Sequence, residues 1–110
     1  MSSKDRPNKM VEEYPGNATL ENIAKLAILH DKPAMFDYWN DSIDYKVIIG
    51  VREVSNEEGG KSHIQYLVKS EDEYTSPIEK IYKVGDDYII MTENSIYVVS
   101  SRIQKKKITN

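Results

Sequence analysis

The fold is decided by residues 74–100, YTSPIEKIYKVGDDYIIMTENSIYVVS, which predict three consecutive β-strands joined by two tight turns. Strand-favouring Ile, Val, Tyr and Thr fill the runs, and Gly85-Asp86-Asp87 and Glu93-Asn94 separate them. Each strand has apolar residues on both sides, as Ile89 and Ile90 show, whereas a sheet with one solvent-facing side alternates more cleanly. We therefore expect both sides to be covered, one by a helix and the other by neighbouring strands or a second molecule.

The helix is predicted over Thr19 to His30, where apolar residues recur at helical spacing. Thr19 is the expected N-cap, and Pro33 follows the expected end. Leu26 and Leu29 widen the apolar stripe beyond what a surface helix needs. We therefore expect the helix to lie across a sheet face or to plug one end of a barrel.

Two further strands are predicted over 45–54 and 63–70, joined by an exposed loop rich in charge and glycine. Gly50, in mid-strand, indicates a bulge or a bend. With the short apolar-aromatic run at 34–39, the count is one helix and about six strands. The predicted fold is α+β and mainly β, a six-stranded antiparallel meander or partly closed small barrel with the N-terminal helix packed on it.

The charge distribution divides the chain into three parts. Residues 1–10 carry a net charge of +2 and residues 102–110 carry +4. Because the net charge of the whole chain is −3, the other residues must carry −9. We interpret residues 1–17 as a flexible arm, residues 18–101 as a single β-rich domain and residues 102–110 as a basic tail. The acidic body is a poor match for phosphates and favours a partner with a basic surface.

Composition predicts a cytoplasmic or other intracellular protein that is not secreted, because no signal peptide opens the chain. No apolar run approaches the roughly 20 residues that a membrane span needs, so no membrane contact is expected. The absence of cysteine excludes disulfides, thiolate nucleophiles and cysteine metal sites.

No motif specifies a reaction. Gly59-Gly60-Lys61-Ser62 resembles the end of a phosphate-binding loop, but Ser55 stands where that motif requires glycine, and the segment joins two strands. His30 and His63 lack a second histidine at metal-ligand spacing, and the acidic clusters lack the spacing of a calcium loop. We therefore predict no catalytic residue, no cofactor and no metal site, and a non-enzymatic protein.

The candidate binding residues are aromatic, because tyrosine and tryptophan bring large, stiff, amphipathic contact area. The predicted contact set is Tyr38, Trp39, Tyr82 and Tyr97. The alternative, that these rings form the rim of the core, stays open. The predicted function is a protein-protein interaction module, with self-association into a homo-oligomer as a further expectation.

A second function remains open at this point. A small β-barrel could offer its tyrosines to nucleic-acid bases for stacking while the basic tail neutralises phosphates. The tail contacts would then come from Arg102, Lys105, Lys106 and Lys107. In the interaction-module reading, the same basic end serves as a flexible tether.

Three runs, DKPAMFDYW (31–39), KSEDEYTSPIEKIYKV (69–84) and TENSIYVVS (92–100), are similar to runs in small uncharacterised proteins of viral or phage origin. This resemblance implies a virus-encoded accessory or virion protein. It implies no activity and no site residue.

Overall fold

The structure, a computed structural model, describes residues 13–108, which contain two helices and eight strands. In chain order they are α1 (Asn17–His30), β1 (Ala34–Met35), α2 (Trp39–Ile43), β2 (Ile48–Ser55), β3 (Lys61–Ser70), β4 (Glu73–Tyr74), β5 (Ile78–Val84), β6 (Asp87–Thr92), β7 (Ile96–Ser100) and β8 (Gln104–Lys107). Sheet A has the strand order β1-β7-β6-β5, and sheet B has the order β4-β3-β2-β8. The mainly β fold with an N-terminal helix is confirmed. The six-stranded meander is not exact, because the strands within residues 13–108 form two mixed four-stranded sheets and no closed barrel.

The predicted three-strand stretch forms β5, β6 and β7, which are antiparallel neighbours in sheet A. Gly85, with a φ of 59°, lies in the first turn. The second turn is closed by Thr92, whose N–H donates to the Ser95 carbonyl at 2.8 Å. The Ser95 N–H in turn donates to Thr92 Oγ1 at 3.1 Å. β1 extends this meander by pairing in parallel with β7.

Sheet A lies between α1 and sheet B, so both of its faces are buried. One core lies on the α1 side and comprises Ile23, Trp39, Ile89, Met91, Ile96 and Val98. The other lies between the sheets and comprises Tyr38, Val47, Ile49, Leu67, Ile90, Val99 and Ile103. The expectation that both sides of the meander are covered is therefore confirmed, and within the described residues the chain itself provides both covers.

The start of α1 differs from the prediction because Thr19 is not its N-cap. The helix begins two residues earlier, with Gly16 at the cap position and no side-chain cap. Thr19 is buried, and its hydroxyl donates to Asp87 Oδ2 at 2.7 Å. The helix ends at His30, before Pro33 is reached, and the C-cap residue Asp31 adopts the left-handed conformation with φ 55° and ψ 47°.

Parts of the predicted arm and of the predicted basic tail lie within the described residues, and both parts contact the domain. Residues 1–12 and 109–110 lie outside the described residues. The rest of the predicted arm contacts the domain, since Trp39 Nε1–H donates to the Glu13 carbonyl at 2.9 Å and the Gly16 N–H donates to Asp87 Oδ2 at 2.9 Å. Within the predicted basic tail, Gln104–Lys107 form β8, which pairs in parallel with β2.

The β8 pairing explains Gly50, which lies in unbroken register with β3 and forms no bulge. Gly50 lies in register with Tyr66 on β3 and with Lys106 on β8. The Ile108 side chain lies over it, so that a Cβ at this position would overlap Ile108 Cδ1. The glycine therefore makes room for the residue that follows β8. The Ile108 N–H also donates to the Val51 carbonyl at 2.8 Å.

The Gly59-Gly60-Lys61-Ser62 segment contributes to the loop and the start of β3 in the hairpin of β2 and β3. Asn56 Oδ1 accepts hydrogen bonds from the Glu58 N–H at 3.2 Å and the Gly60 N–H at 2.8 Å. Gly59 has a φ of 85°, which suits glycine. The segment opens a strand and not a helix, so it lacks the setting of a phosphate-binding loop.

Candidate protein-interaction surface

The structure does not bring the four predicted contact residues together on one exposed surface. Tyr38 and Trp39 are only 4% and 6% exposed, and they belong to different cores. Tyr97 is half-buried against the core between the sheets, and Tyr82 is half-buried against the core under α1. The bulky rings of Tyr38 and Trp39 are buried because the short helix α2 and the residue before it turn them towards the sheets.

Tyr38 anchors a packed aromatic and charged cluster at one side of the inter-sheet core. Its ring meets that of Tyr97 edge to face, with the centroids 5.1 Å apart. Lys69 Nζ lies 4.4 Å from the Tyr38 ring centroid. The same ammonium lies 3.4 Å from Asp41 and 3.5 Å from Glu73. These contacts hold α2 against sheet B, which is a structural role.

The titration of this cluster follows from its burial. Desolvation, reinforced by Tyr97, Glu73 and Asp37, raises the pKa of Tyr38 to about 12. Desolvation and the charge of Asp37 also raise the pKa of Tyr97. At Lys69 desolvation opposes the charge, but the neighbouring carboxylates outweigh it and raise the pKa. The two phenols therefore stay neutral and the ammonium stays charged near neutral pH.

The exposed aromatic surface lies on the outer side of sheet B, away from sheet A. Ile49 and Leu67 pair across β2 and β3 and point into the core. Because side chains alternate along a strand, Ile48, Tyr66 and Val68 point outwards. We call the outer set the tyrosine face: Tyr45, Ile48, Tyr66, Val68, Tyr74 and Ile108. Together with neighbouring polar residues these side chains line a groove of about 490 Å³.

Tyr45 has an unusual backbone conformation for an aromatic residue. It follows α2 with a φ of 62° and is 65% exposed. Its N–H donates to the Ser42 carbonyl at 3.2 Å, and the Lys46 N–H donates to the Asp41 carbonyl at 2.8 Å. This pair of bonds is a Schellman motif, in which glycine usually takes the left-handed position. A side chain there costs about 1–2 kcal/mol, yet the ring is mostly in solvent.

Cations border the tyrosine face. The Arg52 guanidinium lies 5.5 Å from the Tyr66 ring centroid, and the Arg102 guanidinium lies 5.7 Å from that of Tyr45. Tyr66 and Tyr74 meet edge to face at 6.1 Å. The Arg52 Nε atom is buried without a hydrogen-bond partner among residues 13–108. The face therefore combines aromatic contact area with positive charge.

A second cavity, of about 620 Å³, lies at the start of α1. Its buried carboxylate, Asp87, already accepts hydrogen bonds from the Gly16 N–H and the Thr19 hydroxyl. Arg102 at its rim lies 3.4 Å from Glu13. Asp87 thus fixes the start of α1 to sheet A, and Arg102 is paired with Glu13. Across residues 13–108, no three His, Cys, Asp or Glu side chains cluster so as to hold a metal ion.

Sequence reasoning identified the alternation of β3 but missed the tyrosine face. The placement of Tyr66 and Val68 on one side and Leu67 on the other was visible in the sequence. Which side faced solvent was not visible, because both sides carry apolar residues. Nothing in the sequence pattern indicates that Tyr45 and Ile108 join this side, since both lie outside the strands.

Comparison with known proteins adds no functional assignment. No protein-family model, curated protein or solved structure matches the chain. No helix within residues 13–108 is long and apolar enough to cross a membrane. A functional proposal must therefore come from the geometry of the molecule itself.

Proposed function

We propose that this chain is a non-enzymatic protein-interaction module and that the tyrosine face is its contact surface. The observation that carries the proposal is Tyr45, an aromatic residue kept 65% exposed in a backbone conformation that favours glycine. Strained backbone persists where the surrounding structure enforces it, and it concentrates at functional sites. Tyr74, 58% exposed, presents a second ring on the same side of the domain.

The tyrosine face suits binding because its rings project from hydrogen-bonded backbone. Tyr66 and Tyr74 lie on paired strands, and Tyr45 is held by the Schellman motif. A surface whose rings are already placed loses little conformational entropy when a partner binds. Tyrosine also offers an apolar ring and a hydroxyl donor at once, which is why it is enriched at interfaces.

The local charge favours an acidic partner segment. Lys46 and Arg52 line the groove together with a single carboxylate, Glu71, and with Lys69, whose charge is already paired. The acidic composition of the body led to the expectation of a basic partner. At the tyrosine face the sign is reversed, so the proposal is for a partner that presents carboxylates around an apolar or aromatic side chain.

Affinity capture from the native host, combined with light scattering of the purified complex, tests this proposal. The wild-type chain is expected to retain a stoichiometric protein partner. The double variant Tyr45→Ala/Tyr74→Ala is expected to lose it, because truncating two interface aromatics typically costs several kcal/mol, on the order of 2 each. Leu29→Ser, on the far side of the domain in α1 and 75% exposed in the wild type, is the matched control.

Two results contradict the proposal. If the tyrosine variant retains the partner as well as the wild type does, the contact surface lies elsewhere. If the wild type and both variants remain monomers without any partner, the interaction-module function itself is wrong. Circular dichroism of each variant shows whether the fold is kept.

Nucleic-acid binding is the second candidate, and the arrangement of sheet B favours it. The three lysines of β8 are exposed on the same sheet as the tyrosine face, where Arg52 lies over Tyr66. Bases could stack on the rings while these cations neutralise phosphates. A salt-titrated binding assay with single-stranded DNA and RNA distinguishes this candidate, since phosphate contacts give an affinity that falls steeply with salt. No binding at low salt removes it.

A further inference from the structure

The outer edge of β8 is a second surface, distinct from the tyrosine face. β8 is the last strand of sheet B, and within the described residues it pairs only with β2. All four of its residues are exposed. An unpaired strand edge presents backbone donors and acceptors that a further strand can use.

The register shows which backbone groups are available. In a parallel pair, alternate residues direct their N–H and C=O groups to the partner strand. The Ile108 N–H donates to Val51, so Lys106, two residues earlier, also faces β2. The N–H and C=O groups of Lys105 and Lys107 therefore point away from the sheet. These four groups are the hydrogen-bonding positions of the free edge.

The lysine side chains determine which strand can use this edge. Lys105 and Lys107 lie on one side of the sheet and Lys106 lies on the other, so an added strand meets a cation on both sides. Directly opposed like charges are destabilising and opposite charges are stabilising. A second copy that pairs through its own β8 would place lysine against lysine. An acidic strand would place a carboxylate against each one.

We propose that β8 binds an acidic extended peptide segment by strand addition, with main-chain hydrogen bonds to Lys105 and Lys107 and carboxylates against all three lysines. Single-stranded nucleic acid is also anionic, but it has no backbone amides to pair with the edge. A peptide uses both the charges and the hydrogen-bonding groups of β8, so it is the favoured occupant. This inference does not depend on the tyrosine face.

Amide hydrogen exchange of the full chain with a blocked heptapeptide tests the proposal. The peptide carries three central glutamates flanked by valine and threonine. At a peptide concentration about ten times the dissociation constant, exchange of the Lys105 and Lys107 amides is expected to slow about tenfold. The Lys106 amide, already bonded to β2, is expected to change less.

A charge-reversal pair supplies the matched controls. Lys105→Glu/Lys107→Glu is expected to weaken peptide binding by about tenfold or more at low salt. Lys80→Glu/Lys83→Glu makes the same charge change on β5 of sheet A and is expected to leave binding unchanged. Tyr45→Ala is also expected to bind the peptide normally. A result that contradicts strand addition at β8 can therefore be told apart from one that contradicts binding at the tyrosine face.

Three outcomes overturn the proposal. One is equal binding of a peptide with the same charge but a central proline, which cannot complete the main-chain ladder. Another is equal binding of an oligothymidylate without slowed exchange at Lys105 and Lys107, which would show a polyanion site. The last is no binding of the glutamate peptide at low salt, which would show that the lysines only prevent the β8 edge from pairing with other strands.

Discussion

The backbone strain at Tyr45 predicts an unusual order of stability among variants at this position. Tyr45→Ala removes the ring but leaves a Cβ in the left-handed region, whereas Tyr45→Gly removes both. The left-handed conformation costs a non-glycine residue about 1–2 kcal/mol. The greater freedom of glycine in the unfolded chain opposes this gain by about 0.4–1 kcal/mol. The glycine variant should therefore be the more stable of the two by about 1 kcal/mol.

The wild type provides a second comparison. The ring of Tyr45 contacts the Arg102 guanidinium at 5.7 Å, and such a contact contributes about 0.5–1 kcal/mol at an exposed site. Replacement by glycine thus removes strain and a favourable contact of similar size. The stability of Tyr45→Gly should lie close to that of the wild type, while its partner binding at the tyrosine face is weakened.

Urea unfolding followed by circular dichroism measures these differences. With a slope of about 2 kcal/mol per molar urea, a difference of about 1 kcal/mol moves the midpoint by roughly 0.5 M. Tyr45→Asn should fall between the glycine and alanine variants, because asparagine tolerates the left-handed region better than alanine does. If the alanine variant is as stable as the glycine variant, Tyr45 is not strained, and the observation behind the proposed contact surface fails.

Three further predictions concern stability. Thr19→Val keeps the shape of the side chain but removes the hydrogen bond to Asp87, and it should lower the free energy of unfolding in urea by about 1–3 kcal/mol. Gly50→Ala should displace Ile108, lowering that free energy by about 1–3 kcal/mol and speeding amide exchange in β8. Burial raises the pKa of Tyr38 to about 12, so the stability that this phenol contributes is present below pH 10 and lost as pH rises towards 12; Tyr38→Phe should flatten alkaline unfolding in this range.

Control variants accompany two of these predictions, and two of them have a result that would contradict them. Asn22→Ala changes an exposed position of α1 and should alter stability much less than Thr19→Val does. Gly60→Ala tests glycine replacement in an exposed loop, and exchange in β8 should stay at its wild-type rate. An unchanged alkaline transition in Tyr38→Phe would show that Tyr38 does not govern unfolding at high pH. Equal stability of Thr19→Val and the wild type would show that the Asp87 bond contributes nothing.

The parts of the fold that sequence predicts are those fixed by local patterning. The strands β5 to β7 and the hairpin of β2 and β3 follow from alternating apolar residues and turn residues. The residues after Pro33 form the two-residue strand β1 and the short helix α2, which are too short for periodicity to identify. β8 was missed for another reason: a run of lysines has low strand preference, and its pairing with β2 is a tertiary effect.

The candidate site was hard to predict because exposure is set by packing. Tyr38 and Tyr45 have the same side chain, yet one is buried between the sheets and the other is mostly in solvent. The difference comes from α2, which begins after Tyr38 and is followed by Tyr45 in the left-handed position. No pattern in the sequence distinguishes these two tyrosines before the helix is placed against sheet B.

The two parallel ladders affect how the chain reaches its native state. β1 pairs with β7 and β2 pairs with β8, and each ladder joins segments about sixty residues apart in the chain. Neither β1 nor β2 can form its parallel ladder before the later strand is present. Distant pairings of this kind slow folding, since a long loop must close before any bond forms. During synthesis, the edge of β2 that pairs with β8 stays unpaired until Gln104–Lys107 have left the ribosome. Unpaired strand edges are prone to associate with other chains, so late pairing of β2 leaves the incomplete chain open to misassembly.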